Sequence, residues 1–92
     1  MKRHELKILP QYYRAVRSGE KTFELRKNDR DFKVGDALTL KEFDATSGVY
    51  SGRELYTEVT YVLENCPNYG LADGFCILGL SKNLLEVWRD AK

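Results

Sequence analysis

The sequence is poor in the residues that most often carry metal and nucleophile chemistry. It holds one histidine, His4, and two cysteines, Cys66 and Cys76. Two cysteines are too few for a disulfide scaffold, and with one histidine they cannot supply the ligands of a structural zinc site. They read as two reduced thiols, with Cys76 in the core. No metal and no cofactor is expected. A nucleophile–histidine–acid arrangement cannot be assembled around a histidine that opens a strand. No glycine-rich phosphate loop and no metal-ligand spacing occurs. No apolar run approaches the ~20 residues that a membrane span needs. The opening MKRHELKILP lacks the apolar centre of a signal peptide. The expectation is a cytoplasmic protein with no membrane partner. Repeats, low-complexity tracts and linkers are missing too, so residues 1–92 read as a single domain.

Charge is plentiful and unevenly placed. Hydrophobic residues make up 42% of the chain and charged residues 32%, the balance of a folded globular domain. The net charge is only +1, yet residues 1–33 hold ten Lys or Arg against five Asp or Glu. Residues 34–92 reverse this, with five basic and nine acidic side chains. A basic first third on a nearly neutral protein implies a polarised surface able to attract an anion. The densest stretch, SGEKTFELRKNDRDFKVGD, puts ten charges into residues 18–36. These charges either solvate the surface, as in a protein-interaction adaptor, or form a site.

Periodicity gives the elements. HELKIL (4–9) alternates as a half-buried strand. PQYYRAVRSG has proline at its start, glycine at its stop and an apolar stripe of Leu9, Tyr12, Tyr13 and Val16, which predicts a helix over 10–18. Further strands are expected over 21–26, 37–43, 53–64 and 75–81, joined by hairpin-like connections. The strand over 53–64, with Leu55, Val59, Tyr61 and Leu63 on one face, is long enough to require a bend or bulge. FCILGLS is nearly all apolar, as in a strand covered on both sides. KNLLEVWRDAK (82–92) spaces Leu84, Leu85 and Trp88 for a C-terminal helix. Five strands in so short a chain leave two edges, which closure into a small barrel removes. The expected class is α+β, a five-stranded β-barrel with flanking short helices.

Within the charged stretch, Thr22, Glu24 and Arg26 share one strand face, and Lys21, Phe23 and Leu25 the other. Glu24 beside basic neighbours would stay ionised and orient Arg26, whose fork suits a phosphate or a base edge. Arg30 and Lys33 on the following loop would add phosphate contacts, with Asn28 between them and Arg26. Tyr12, Tyr13, Tyr50, Tyr61 and Tyr69 offer stacking surfaces for unpaired bases where exposed. The candidate nucleic-acid-binding residues are therefore Lys21, Glu24, Arg26, Asn28, Arg30 and Lys33, with RNA or a nucleotide as partner. A structural alternative is that Lys21 and Glu24 form an ion pair that braces the cleft.

The order HELKIL, QYYRAVRSGEKTFELR, FKVGD, GRELYTEVTYVL, GFCILGL resembles the ASCH domain of the PUA-like superfamily. It is most similar to the small bacterial and phage branch marked by RKNDRDFKVGD, and the resemblance runs from residue 4 to about residue 80. It implies a five- to six-stranded pseudo-barrel with helices at its openings, and RNA binding in a cleft beside the helix–strand unit 10–26. One ASCH relative is an amidohydrolase acting on N4-acetylcytidine. Its catalytic lysine corresponds to Lys21, its catalytic threonine falls where this chain has Glu24, and its catalytic glutamate is matched by order to Glu64. If this chain were an enzyme, Lys21 and Glu24 would be its catalytic pair, with Thr22 the nearest hydroxyl. The loss of the threonine favours binding over catalysis.

Overall fold

The computed structural model describes residues 1–89. Its elements follow in the order β1 (Arg3–Ile8), α1 (Pro10–Ser18), β2 (Phe23–Lys27), β3 (Ala37–Asp44), β4 (Val49–Glu64), β5 (Phe75–Leu80) and β6 (Leu85–Trp88). The class is mixed α+β, with six strands in one mixed sheet and a single α-helix among the described residues. Among the same residues no helix is long and apolar enough to cross a membrane. Both cysteines are free, with Cys76 buried.

Local rules set the first elements. Along β1 the burial alternates, and His4, Leu6 and Ile8 turn inward. Pro10 opens α1, where its missing N–H costs nothing. Gly19 ends it at φ 86°, a left-handed conformation that glycine adopts without strain, and its N–H donates to the Val16 carbonyl. Tyr13 and Val16 on the inner face of α1 join Leu6, Leu38, Leu40 and Leu78 in the core.

The sheet path is β1-β3-β4-β5-β2, with β6 on β4. β1 and β3 are parallel, and the remaining pairs are antiparallel. β2 therefore does not form a hairpin with either sequence neighbour; it crosses to the far end of the sheet and pairs with β5. β4 is the spine. Its first half pairs with β3 and its second with β5. The expected irregularity is present, a register shift between Val59 and Tyr61 that leaves Thr60 as an extra residue. That extra residue inverts the alternation. Leu55 and Val59 are buried, but Tyr61 and Leu63 emerge on the outer face, contrary to the single face expected for all four. The outer face of β5 is also uncovered at Phe75, which is 40% exposed, so its apolar run does not mean cover on both sides.

Two further expectations are corrected. The sheet is not closed into a barrel. β1 and β2 end the path with no ladder between them. Pairing with β3 engages alternate carbonyls along this segment, beginning with Lys2 just before β1, whose carbonyl accepts from the Ala37 N–H. The intervening carbonyls of Glu5 and Lys7 face the gap. Arg26 Nη1 donates to the Lys7 carbonyl (2.8 Å) and Arg30 Nη1 to the Glu5 carbonyl (2.6 Å), so side-chain donors satisfy the edge that closure would have satisfied. The second correction concerns the C-terminus. Leu85–Trp88 is a strand, paired with Arg53–Tyr56 of β4, and not the expected helix. The free edge of β4 at these residues offers a ladder that a short helix cannot match. The last part of that expected helix, residues 90–92, lies outside the described residues.

Candidate functional site

β2 inverts the usual burial of an amphipathic strand. Glu24 is buried, whereas Phe23 and Leu25 are about half exposed. Burial of a carboxylate is tolerated only where cations and hydrogen bonds replace water. Here Glu24 Oε1 accepts from Lys21 Nζ at 2.7 Å, and Oε2 accepts from Arg26 Nη1 at 3.2 Å. Lys21 precedes β2. Its N–H donates to the Ala15 carbonyl just beyond the helix cap, and its Nζ also donates to the Phe23 carbonyl at 2.8 Å. Lys21, Glu24 and Arg26 thus converge, although alternation along the expected strand puts Lys21 on the face opposite the other two.

They form one side of an open cleft of about 500 Å³ between β1, the start of α1 and β2, lined also by Lys7, Tyr12, Phe23 and Phe75. Lys21 Nζ lies 5.4 Å from the Tyr12 ring centre and 5.0 Å from that of Phe23. The backbone contributes as well. Thr22 and Asn28 bond to β5 and its flanks, which by alternation turns the Leu25 N–H and carbonyl toward the gap. The cleft therefore presents cationic donors, a carboxylate, a free peptide edge and aromatic faces. Planar heterocycles bearing an anionic substituent match that combination.

Arg26 also borders a second cleft of about 370 Å³, with Lys7, Arg30, Lys41, Glu5 and Tyr50 around it. Four cations face one carboxylate there, and Lys41 Nζ lies 3.6 Å from Glu5. Arg30 thus joins the site from the neighbouring cleft.

The other expected residues fall elsewhere. Asn28 Nδ2 donates to Glu64 at 2.6 Å and its N–H to the Gly74 carbonyl, so it ties β2 to the far ends of β4 and β5. Its Oδ1 is buried without a partner among the described residues. Glu64, engaged by Asn28, does not line the aromatic cleft. Lys33 is exposed, pairs with Asp31 at 3.2 Å and borders neither cleft. Thr22 is exposed and likewise outside both. Of the tyrosines, Tyr12 and Tyr50 line the clefts, Tyr13 is fully buried, and Tyr61 and Tyr69 are exposed elsewhere. Burial and a 2.7 Å hydrogen bond to Glu86 push the Tyr13 phenol well above its ordinary range.

Sequence reasoning missed Phe23, Phe75, Lys7 and Lys41 as cleft residues. Phe75 reaches the cleft because it pairs across from Lys27, and Lys41 because it lies beside Lys7 in the parallel β1–β3 ladder. Only the strand order reveals those juxtapositions. His4, set aside as a catalytic base, is a buried donor instead. Its Nε2–H donates to Asp36 Oδ2 at 2.8 Å. The Lys2 and Lys33 N–H groups donate to the same carboxylate. The His4 bond foremost, and then those backbone donors, hold the Asp36 carboxyl down at about 2. This pair fastens the VGD corner to the start of β1.

A family model described as "Domain of unknown function (DUF3850)" matches residues 3–80. Over 61 residues the chain is 38% identical to a protein of Escherichia phage P2 described as "Uncharacterized 12.9 kDa protein in GpA 3'region". The matched stretch covers 66% of this chain and 54% of the phage protein, so the chain spans about half the length of the curated relative it matches. The family match takes in every element from β1 to β5 and with them both clefts, and the chain belongs to the DUF3850 family.

Proposed function

We propose that this domain binds RNA or a nucleotide in the aromatic cleft, and that it is an ASCH-type member of the PUA-like superfamily whose sheet stays open at the β1–β2 gap. The observation that carries the reading is the buried Glu24 carboxylate held between Lys21 and Arg26, beneath a cleft walled by Tyr12, Phe23 and Phe75. A purely bracing ion pair does not call for exposed rings around it. Tyr12 is 47% exposed and Phe23 45%, and these rings provide the stacking faces on which unpaired bases bind. The cations supply the attraction for phosphate.

The same arrangement favours binding over hydrolysis of a modified nucleoside such as N4-acetylcytidine. The position matching the relative's threonine carries Glu24, which already accepts a hydrogen bond from Lys21, and Glu64 lies outside the cleft. Fluorescence anisotropy with labelled single-stranded RNA tests the proposal. Binding that weakens as salt is raised, and that Lys21→Ala reduces, supports it. Absence of binding even at low salt refutes it.

A further inference from the structure

The edge of β1 carries a second feature. The carbonyls of Glu5 and Lys7 point the same way out of β1, two residues apart, so they stand about 7 Å from each other. Each holds one guanidinium, Arg30 at Glu5 and Arg26 at Lys7. In both cases Nη1 makes the backbone contact. Arg26 Nη1 also serves Glu24, but the Arg26 Nε and Nη2 donors have no hydrogen-bond partner among the described residues. Arg30 has only a loose contact of its Nε with Asp29, at 3.8 Å. Two arginine forks are thus fixed at a spacing dictated by the strand, each keeping donors for a ligand. That spacing is close to the separation of successive phosphates in an extended nucleic-acid strand. Lys7 and Lys41 stand beside them in the same cleft.

We propose that β1 acts as a ruler for a single-stranded polynucleotide. One base occupies the aromatic cleft, the phosphate attached to it meets Arg26, and the next phosphate along the strand meets Arg30 in the adjoining basic cleft. The inference rests on the binding reading above and narrows its ligand to a polymer with at least two consecutive phosphates. Arg26 borders both clefts, so a ligand can pass from one to the other without leaving the protein surface. A duplex is disfavoured because its bases are already stacked and paired and cannot enter the aromatic cleft.

The test compares uridine, uridine 5′-monophosphate and a short oligouridylate by calorimetry, with wild type, Arg30→Ala and Lys41→Gln. Lys41→Gln removes a charge without disturbing a β1 carbonyl, so the test survives if Arg30→Ala folds poorly. The oligouridylate should bind more tightly than the monophosphate. Each variant should weaken oligouridylate binding on the order of threefold to tenfold, and flatten its logarithmic salt dependence by about 0.7 for each phosphate that is no longer neutralised. Their effect on uridine should be smaller. Equal affinity of monophosphate and oligomer, or variants that bind the oligomer like wild type, overturns the ruler and leaves the cleft reading standing. Failure of all three ligands to bind overturns both.

Discussion

Lys21 Nζ lies 2.7 Å from Glu24 Oε1, although strict alternation would place the two side chains on opposite faces of one strand. The contact is possible because β2 begins only at Phe23. Lys21 belongs to the turn after the helix, and its side chain is free to swing to the buried side. The charged stretch therefore contains a compact ion cluster at its centre, and the exposed Phe23 and Leu25 follow from the same geometry.

Removing the carboxylate leaves two cations facing a space shaped for an anion. Glu24→Ala is expected to cost about 2 kcal/mol in urea unfolding. That is less than the about 3–5 kcal/mol for breaking a fully buried pair, because Lys21 and Arg26 keep some contact with water. Glu24→Gln, which keeps the shape, should cost about 1 kcal/mol. An unchanged midpoint for both variants would show that the cluster does not contribute to folding.

The cleft rings should matter for ligand and little for folding. Tyr12→Ala and Phe23→Ala are each expected to weaken single-stranded RNA binding by about 1–2 kcal/mol, the range for loss of one stacked base. The unfolding free energy of each should change by less than about 1 kcal/mol, since both rings are already about half solvated. Anisotropy and thermal melts on the same samples separate the two effects.

Gly79 is fixed by packing. A Cβ at this position would lie 2.7 Å from Thr60 Oγ1, on the residue that forms the β4 bulge. Gly79→Ala should destabilise the domain by about 1–3 kcal/mol through overpacking, and adding Thr60→Ser should recover part of this, because the hydroxyl remains but without the β-branch can rotate away. Gly79→Ala with Thr60→Gly should recover more. Denaturant midpoints decide between these outcomes.

Asp36 gives the protein an acid-sensitive fastening. Its carboxyl sits at about 2 in the fold against 3.8 ordinarily, so the unfolded chain takes up the proton first as pH falls. Its stabilising contribution is complete above pH 3.8 and is lost as pH falls toward 2. Wild type should therefore melt at a higher temperature than Asp36→Asn near neutral pH, and the gap should narrow through that acid window. A gap independent of pH would contradict the linkage.

Much of the fold is legible where local signals and tertiary context agree. The proline-to-glycine punctuation of α1 and the alternation of β1 are such cases. Leu85–Trp88 reads as a helix because its apolar spacing suits one, while the deciding factor is the open edge of β4. Tyr61 and Leu63 read as inward because the bulge that turns them out cannot be positioned from alternation alone. Among the site residues, Glu24 and Arg26 share a strand face by their spacing, while Lys21 joins them only because β2 begins at Phe23 and leaves Lys21 in the preceding turn. Asn28 and Lys33 lie on a connection whose direction depends on β5 and on Asp36, so nearness in sequence does not bring them to the cleft.

The most direct test of the central claim is amide chemical-shift mapping of isotope-labelled protein titrated with a short single-stranded RNA at low salt. The account predicts shifts concentrated at Lys7, Tyr12, Lys21, Leu25, Arg26 and Phe75, with His4, Asp36 and Tyr69 unmoved. No saturable shifts, or shifts centred on Tyr61 and Tyr69 with the cleft silent, would contradict it.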